Sequence, residues 1–228
     1  MFFFDMNYLM MLLPALALAM YANFKVKRAY KKYRQIPSGA NITGAQAAAH
    51  LLRDNGLQDV HIEEVRGELS DHYDPRDKVV RLSSENYHGS SIAGLSVAAH
   101  EVGHAIQDAK GYSPLRLRHS LLPVASFGSK LAFPLLILGF IINSVGFIQL
   151  GVVLFAGAVL FQLVTLPVEF NASSRAMAQL SSGGYLRNDE ISGAKKVLDA
   201  AALTYVAAAL TAVMQLLYYV MLLTGADD

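Results

Sequence analysis

The chain has 228 residues, of which 54% are hydrophobic and only 16% are charged, whereas a soluble domain carries about 25% charged residues. The net charge of +1 provides no basic field that would attract nucleic acid. Because no cysteine occurs, disulfides, thiolate chemistry and cysteine metal ligands are excluded.

The apolar residues concentrate in the stretches 6–24, 121–168 and 199–223, which leave a polar block from about residue 25 to 118. With a mean hydropathy of +0.34, this layout indicates a membrane protein with one domain outside the bilayer. We predict a mainly α fold with about four transmembrane helices and a small α+β domain.

Residues 6–24 form the first apolar stretch, which is long enough to cross a hydrocarbon core of about 30 Å. A cleavable signal peptide is the alternative, since Ala15-Leu16-Ala17 resembles a cleavage site. Signal peptides carry positive charge before the apolar run, but here Asp5 precedes it and six basic residues follow it. These are Lys25, Lys27, Arg28, Lys31, Lys32 and Arg34. The positive-inside rule therefore predicts an uncleaved anchor with residue 25 onward in the cytoplasm.

The polar block contains the pattern of a small α+β domain. Thr43 is a predicted N-cap for a helix that ends near Asn55 and Gly56. Residues 58–65 and 78–83 alternate and carry β-branched side chains, which is typical of strands. Between them, Asp74-Pro75-Arg76-Asp77 predicts a turn.

A second helix is predicted from about Ser91 to Asp108, and it carries the motif HExxH as His100-Glu101-Val102-Gly103-His104. Positions four apart lie on one face of a helix, so both imidazoles can bind one metal ion. The Glu between them can then act as a general base. The motif predicts a zinc site and a zincin-like domain with Glu101 as the catalytic residue.

The stretch 131–166 would be about 54 Å long as one helix, which is too long for a single crossing. Asn143-Ser144-Val145-Gly146 supplies turn residues for a hairpin. Its first arm must begin before Lys130, whose amine can reach the interface. A fourth span at about 199–223 returns the C-terminus, which ends in Ala226-Asp227-Asp228, to the outside.

A catalytic zinc site has three protein ligands and an open position, and no third His follows the motif at the HExxHxxGxxH spacing. Glu169 is the only Glu between Glu101 and Glu190, and it lies where the third span leaves the membrane. The predicted hairpin returns residue 169 to the side of His100. We therefore expect His100, His104 and Glu169 to be the metal ligands.

The sequence resembles the YugP-type neutral zinc metallopeptidases over nearly its whole length. The matching stretches are SVAA followed by HEVGHAIQ at 96–107, DHYDPR at 71–76, EFNASSRA at 169–176 and LTYV at 203–206. The resemblance implies a bacterial membrane-bound peptidase with zinc bound by His100, His104 and Glu169. The chain is also similar, more distantly, to HtpX-type and CAAX-prenyl proteases, which pair HExxH with a later Glu-x-x-Ala-Asp. Ser173 replaces that Asp here, so a carboxylate that orients a ligand imidazole is not expected at this position.

Other residues are candidates for supporting roles. Arg175 would stabilise the transition state or hold Glu169 in place, or it is a positive-inside anchor. His72 and Tyr73 would contact substrate, or simply belong to a polar loop. The strand 78–83 would pair with an extended substrate as a sheet edge. The remaining histidines have no metal-ligand spacing and are interpreted as ordinary surface or core residues: His50, His61, His88 and His119.

These features predict a multi-pass protein of the cytoplasmic membrane, with a zinc-dependent peptidase site that faces the cytoplasm and takes polypeptide substrates. Two alternatives stay open: a non-catalytic membrane scaffold that binds zinc, and a site-2-type intramembrane protease. Oligomeric state and partner subunits are not predicted. The predicted parts are an anchor (1–24), a cytoplasmic α+β domain with the HExxH helix (25–120), a transmembrane hairpin (121–168), a cytoplasmic segment with the third zinc ligand (169–198) and a C-terminal transmembrane helix (199–228).

Overall fold

A computed structural model describes residues 6–224 of the chain. The features noted at Asp5 and at residues 226–228 lie outside this range. In chain order, the elements are α1 (Met6–Tyr33), α2 (Gly44–Asp54), β1 (His61–Val65), β2 (His72–Asp74), β3 (Val79–Ser83), α3 (Ser84–His88), α4 (Ile92–Ala109), α5 (Ser113–Ile141), α6 (Val145–Ser182) and α7 (Asn188–Thr224).

The described residues divide into two compact units. The apolar unit consists of residues 6–22, 116–167 and 204–224, and the polar unit consists of residues 23–115 and 168–203. Each of the four long helices, α1, α5, α6 and α7, has residues in both units, because the limits between the units fall within these helices.

Within residues 6–224, four helices are long and apolar enough to cross a membrane, namely α1, α5, α6 and α7. Their outward side chains are large and apolar, as at Met20, Phe127 and Val153, which are 74%, 71% and 67% exposed. Such surfaces suit lipid contact rather than water. The predicted mainly α membrane fold with about four spans is therefore confirmed.

The hairpin between the second and third spans differs in detail from the prediction. Only residues 142–144 connect α5 to α6, and Asn143 takes the left-handed conformation with a φ of 51°. Val145 and Gly146 were expected in the turn but belong to α6, because Asn143 alone supplies the reversal. The first arm begins at Ser113, before Lys130 as expected.

All four spanning helices continue beyond their apolar stretches. α1 extends to Tyr33, and the rings of Tyr30 and Tyr33 are buried in the core of the polar unit. α6 continues through residue 169 to Ser182 and ends before Gly183-Gly184. Most of the segment 169–198 is therefore helical, and the chain between α6 and α7 is only residues 183–187.

The polar unit contains a three-stranded sheet in the order β1-β3-β2. β1 is parallel to β3, and β2 is antiparallel to it. The expectation that residues 78–83 form an edge was wrong, because β3 is the central strand and both of its sides are paired. β2 was not predicted, since three residues are too few to show an alternating pattern.

The two predicted helices of the polar unit are confirmed. α2 begins after Thr43, whose hydroxyl accepts from the backbone N–H of Gln46 while the Gln46 side chain accepts from the N–H of Thr43; this reciprocal pair is a capping box. α4 begins after Ser91, whose hydroxyl accepts from the N–H of Gly94. Both helices bury apolar faces in one core with the sheet.

Candidate metal centre

Helix α4 holds the HExxH motif rigidly because one of its faces is anchored in the core. Leu95, Ala98, Val102 and Ile106 are almost completely buried and recur at the three- and four-residue spacing of an amphipathic helix. The imidazoles of His100 and His104 lie on another face, edge to face, with ring centroids 4.8 Å apart. The two side chains thus meet as their spacing predicts.

Glu169 reaches the two imidazoles from α6. Its Oε2 lies 3.2 Å from Nε2 of His100 and 3.6 Å from Nε2 of His104. Among the described residues, these three form the cluster of His, Asp and Glu side chains that could hold a metal ion. The hairpin therefore brings Glu169 to His100, as the sequence indicated.

The two distances from Glu169 to the imidazole nitrogens fit a zinc ion. Two ligands about 2.1 Å from a tetrahedral zinc ion are about 3.4 Å apart, and the two distances to Glu169 bracket that value. Two nitrogens and one carboxylate oxygen also match the donor set of catalytic zinc sites, which keep a fourth position open. The cluster is well buried, since Glu169 is 2% exposed and His104 9%.

Close packing of α4 against α6 allows this convergence. A Cβ atom on Gly103 would lie 2.7 Å from the carbonyl oxygen of Ala172, so only glycine permits this approach. One helical turn along α4, the side-chain amide of Gln107 donates to the carbonyl oxygen of Val168 over 2.8 Å. These contacts place α6 beside α4 at the level of the two imidazoles.

Each imidazole has a second polar partner at Nδ1, so that Nε2 of both rings points toward Glu169. Nδ1 of His100 lies 3.2 Å from the hydroxyl oxygen of Ser173. Nδ1 of His104 lies 3.0 Å from Oε1 of Gln107. At position 173 the group beside the imidazole of His100 is thus the hydroxyl of a serine. Partners of this kind orient metal-ligating histidines.

Glu101 lies beside the cluster without belonging to it. The side chain is buried, and burial is the main reason why the pKa of its carboxyl is raised to about 7; His100 opposes the rise, while the nearby carboxylates of Glu169 and Asp71 contribute to it. The backbone N–H of Tyr73 in β2 donates to this carboxyl. Near neutral pH the group can therefore both accept and release a proton, as a general base requires.

The structure places the other candidate residues as follows. Arg175 donates through Nε to Oδ1 of Asn171 over 2.7 Å. The hydroxyl of Tyr73 donates to Asp108 over 2.9 Å, so it is the backbone of Tyr73 that serves the site. Nδ1 of His72 lies 2.8 Å from the carbonyl oxygen of Ser70 on the exposed side of β2. His88 lies 3.1 Å from Glu64 at the surface, in line with an ordinary role.

Gln107 and Asn171 were not predicted as site residues. Gln107 follows His104 by three residues and so lies on the same helical face, which is a signal that the sequence contains. The contact of Asn171 with Gln107, at 3.0 Å, joins positions 64 residues apart and depends on the packing of α4 against α6.

Comparison with known proteins agrees with this geometry. Residues 8–224 match the family described as "Putative neutral zinc metallopeptidase". The chain belongs to this family. It is 51% identical over 225 residues to "Putative membrane protease YugP" of Bacillus subtilis (strain 168), with 98% of this chain and 100% of the relative covered. No solved structure matches the chain.

Membership of the neutral zinc metallopeptidase family confirms the resemblance seen in the sequence. The match spans all four long helices as well as the HExxH helix, so the membrane helices and the polar unit belong to one family architecture. As a member of this family and a relative of a membrane protease, the chain is a multi-pass membrane protein.

Proposed function

We propose that the chain is a zinc metalloendopeptidase that hydrolyses peptide bonds of membrane-associated or misfolded proteins at the cytoplasmic surface of the membrane. The observation that carries this proposal is the convergence of His100, His104 and Glu169 beside a buried Glu101 that is not part of the cluster. Three donors from two helices, with a carboxyl of raised pKa next to them, form the arrangement that metal-assisted hydrolysis needs.

His100, His104 and Glu169 would hold the ion through Nε2, Nε2 and Oε2. A zinc ion bound there supplies Lewis-acid polarisation of the substrate carbonyl and makes water more acidic. Glu101 takes a proton from the attacking water and passes it to the leaving amine. The backbone N–H of Tyr73 favours the ionised form of the Glu101 carboxyl, which is the form that accepts the proton.

The membrane location of the substrate is supported by the chain itself. Glu169 follows the apolar stretch of α6 directly, since the apolar unit ends at residue 167. Basic residues cluster at the end of α1 and at Lys195 and Lys196 of α7, which four crossings place on one side of the bilayer. The positive-inside rule assigns that side to the cytoplasm, where the relevant substrates are membrane proteins and their unfolded segments.

The two alternatives have less support. A zinc-binding scaffold has no use for a buried non-ligand carboxyl such as Glu101 beside the metal. A site-2-type protease holds its motif in a spanning helix, but α4 has only 18 residues and is not among the four helices of the described chain that could cross a membrane.

The test is proteolysis of a disordered protein by wild type and Glu101→Gln, with zinc content measured on both. We expect zinc in both samples and cleavage by wild type alone, because glutamine keeps the shape of the side chain but cannot accept the proton. Glu190→Gln is the matched control: Glu190 is also a buried carboxylate of the polar unit, 5% exposed, and accepts from the N–H of Gly39. Equal cleavage by wild type and Glu101→Gln would refute the mechanism.

A further inference from the structure

A chain of side-chain hydrogen bonds leads from His104, in the candidate metal site, to Arg175. Oε1 of Gln107 lies 3.0 Å from Nδ1 of His104. Nε2 of Gln107 donates to Oδ1 of Asn171 over 3.0 Å, and Nε of Arg175 donates to the same oxygen over 2.7 Å. We call these three residues, Gln107, Asn171 and Arg175, the amide relay.

The orientation of the Gln107 amide is fixed by a partner that can only accept. Its Nε2 donates to the backbone carbonyl oxygen of Val168 over 2.8 Å. If the amide were flipped, Oε1 would face that carbonyl oxygen and Oδ1 of Asn171, and three acceptors would meet without a proton between them. Oε1 of Gln107 must therefore point toward His104.

The orientation of Asn171 is fixed by a partner that can only donate. A guanidinium has no acceptor, so the atom of Asn171 that faces Nε of Arg175 must be its carbonyl oxygen. The same oxygen of Asn171 accepts from Gln107, so the atom of Gln107 that faces it must be the donor Nε2. The contact with Arg175 therefore supports the same orientation of the Gln107 amide as the contact with Val168 does. The carbonyl group of Val168 can only accept and the guanidinium of Arg175 can only donate. Together they determine which atom of each side-chain amide is oxygen and which is nitrogen.

The consequence for His104 is a defined proton position. Because Oε1 of Gln107 can only accept, Nδ1 of His104 must carry a proton, and Nε2 is the nitrogen left to bind a metal. His100 differs: its Nδ1 faces the hydroxyl of Ser173, and a hydroxyl can either donate or accept. The relay therefore acts on one of the two histidines only.

We infer that Gln107 is a positioning residue: its amide, held by Val168 and by the Asn171–Arg175 pair, fixes His104 with Nδ1 protonated and Nε2 directed at the metal. The inference rests on the zinc site of the proposed function. According to this inference, Arg175 supports His104 through Asn171 and does not act on the transition state. Gln107 also joins α4 to α6, because its two partners on α6, Val168 and Asn171, lie on either side of Glu169 in the sequence.

The experiment compares the zinc affinity of full-length variants in detergent by competition with a chromophoric chelator. Gln107→Leu and Asn171→Leu should each weaken zinc binding about 10- to 100-fold, as is usual when a partner of a ligating histidine is removed. Asn171→Asp should bind nearly as wild type does, because a carboxylate accepts from both Gln107 and Arg175. Rescue by aspartate but not leucine is not expected of a residue that only fills space.

Gln179→Leu is the matched control. Gln179 lies on α6 and exchanges side-chain hydrogen bonds with Asn55 at 3.2 and 3.3 Å, so the substitution removes a comparable pair ten residues from Glu169. Its zinc affinity should equal that of wild type. Circular dichroism and gel filtration of every variant separate loss of zinc binding from loss of folding.

Two further measurements complete the test. The visible spectrum of the cobalt-substituted protein should change in Gln107→Leu and remain in Asn171→Asp, because it reports the ligand geometry. Arg175→Met should weaken zinc binding. If this variant lost turnover but bound zinc as tightly as wild type, Arg175 would act on the transition state and would not belong to the amide relay. Folded Gln107→Leu that binds zinc like wild type would overturn the inference as a whole, whereas wild type without a zinc site would refute the proposed function.

Discussion

At the scale of single residues, the surroundings of Glu101 decide what it can do. An exposed glutamate has a pKa of about 4.3 and is a weak base at neutral pH. Burial, together with the negative charge of Glu169 and Asp71, raises the pKa of Glu101 to about 7. The same carboxyl with its raised pKa is a stronger base and a usable acid for the leaving amine.

The raised pKa of Glu101 predicts the pH dependence of peptidase activity. Glu101 must be ionised to accept a proton, so kcat/KM should fall about tenfold per pH unit as the pH drops below the pKa. The positive charge of a bound metal ion lowers that pKa, so the midpoint should lie at or below about 7. Peptide cleavage measured from about pH 5 to about pH 8 checks this, with zinc content determined at each pH because protonated histidines release metal. Activity in fully loaded enzyme that rises as the pH falls from about 8 to about 5 would contradict the assignment.

The ligand assigned to α6 gives a prediction about metal affinity. Glu169→Gln replaces the carboxylate oxygen that lies between the two imidazoles by a neutral amide. Zinc binding should weaken by more than about 100-fold, the upper end of the loss expected when a partner of a ligating histidine is removed. Chelator competition measures the loss. Glu85→Gln is a surface control on α3, where Glu85 pairs with Arg34 at 3.0 Å, and it should leave the affinity unchanged. Wild-type affinity in Glu169→Gln would remove Glu169 from the ligand set.

At the scale of elements, the approach of α4 to α6 sets the geometry of the cluster. Gly103→Ala would place a methyl group 2.7 Å from the backbone oxygen of Ala172, and backbone cannot move aside as a side chain can. Overpacking of this kind costs about 1–3 kcal/mol and would separate Glu169 from His100. We expect a lower melting temperature and weaker zinc binding in the same variant, measured by thermal denaturation and chelator competition.

Gly157→Ala provides the control for that substitution. Gly157 is a glycine in the interior of α6, as Gly103 is in the interior of α4, and its added methyl group would meet Val124 at 3.6 Å, an ordinary contact. Alanine favours a helix by about 1 kcal/mol over glycine, so the variant should be at least as stable as wild type. An equal loss in both variants would show that any methyl group added to these helices is destabilising, and the close approach of α4 to α6 would then not explain the result.

Elements with strong local signals were predictable from the sequence. The capped helices after Thr43 and Ser91 and the four apolar helices follow from residues close together in the chain. The central place of β3 was not predictable, because it depends on β2, a strand of three residues paired across a turn. The continuation of α1 to Tyr33 was also missed, since it depends on burial of Tyr30 and Tyr33 by distant residues.

The same distinction holds for the candidate site. The spacing in the motif identified His100 and His104 as a pair, and the hairpin argument brought Glu169 to them. The partners at Nδ1 could not be assigned, because Ser173 and Gln107 reach the imidazoles only once α4 and α6 pack together. The sequence therefore predicts the three side chains of the candidate metal site, whereas the groups that orient the two imidazoles are brought to them by tertiary packing.

At the scale of the whole molecule, the four crossings and the charge pattern make a prediction about topology. The connection between α5 and α6 at residues 142–144 should face the outside, and the polar unit should face the cytoplasm. Because the protein has no cysteine, single cysteines can be introduced without a background. Ile142→Cys, at a position 52% exposed, should react in intact cells with a maleimide that cannot cross membranes. Gln58→Cys, on the exposed surface of the polar unit, should react only after the cells are opened.

The two cysteine variants control for each other, because both positions are accessible once the membrane is broken. Labelling of both in opened cells, but only of Ile142→Cys in intact cells, would support a site that meets its substrates in the cytoplasm. The reverse pattern would place His100, His104 and Glu169 outside the cell. The chemistry proposed for Glu101 would be unchanged in that case, but the substrates would have to be extracellular segments, since the side of the membrane is set by the charges that flank the helices and not by the metal cluster.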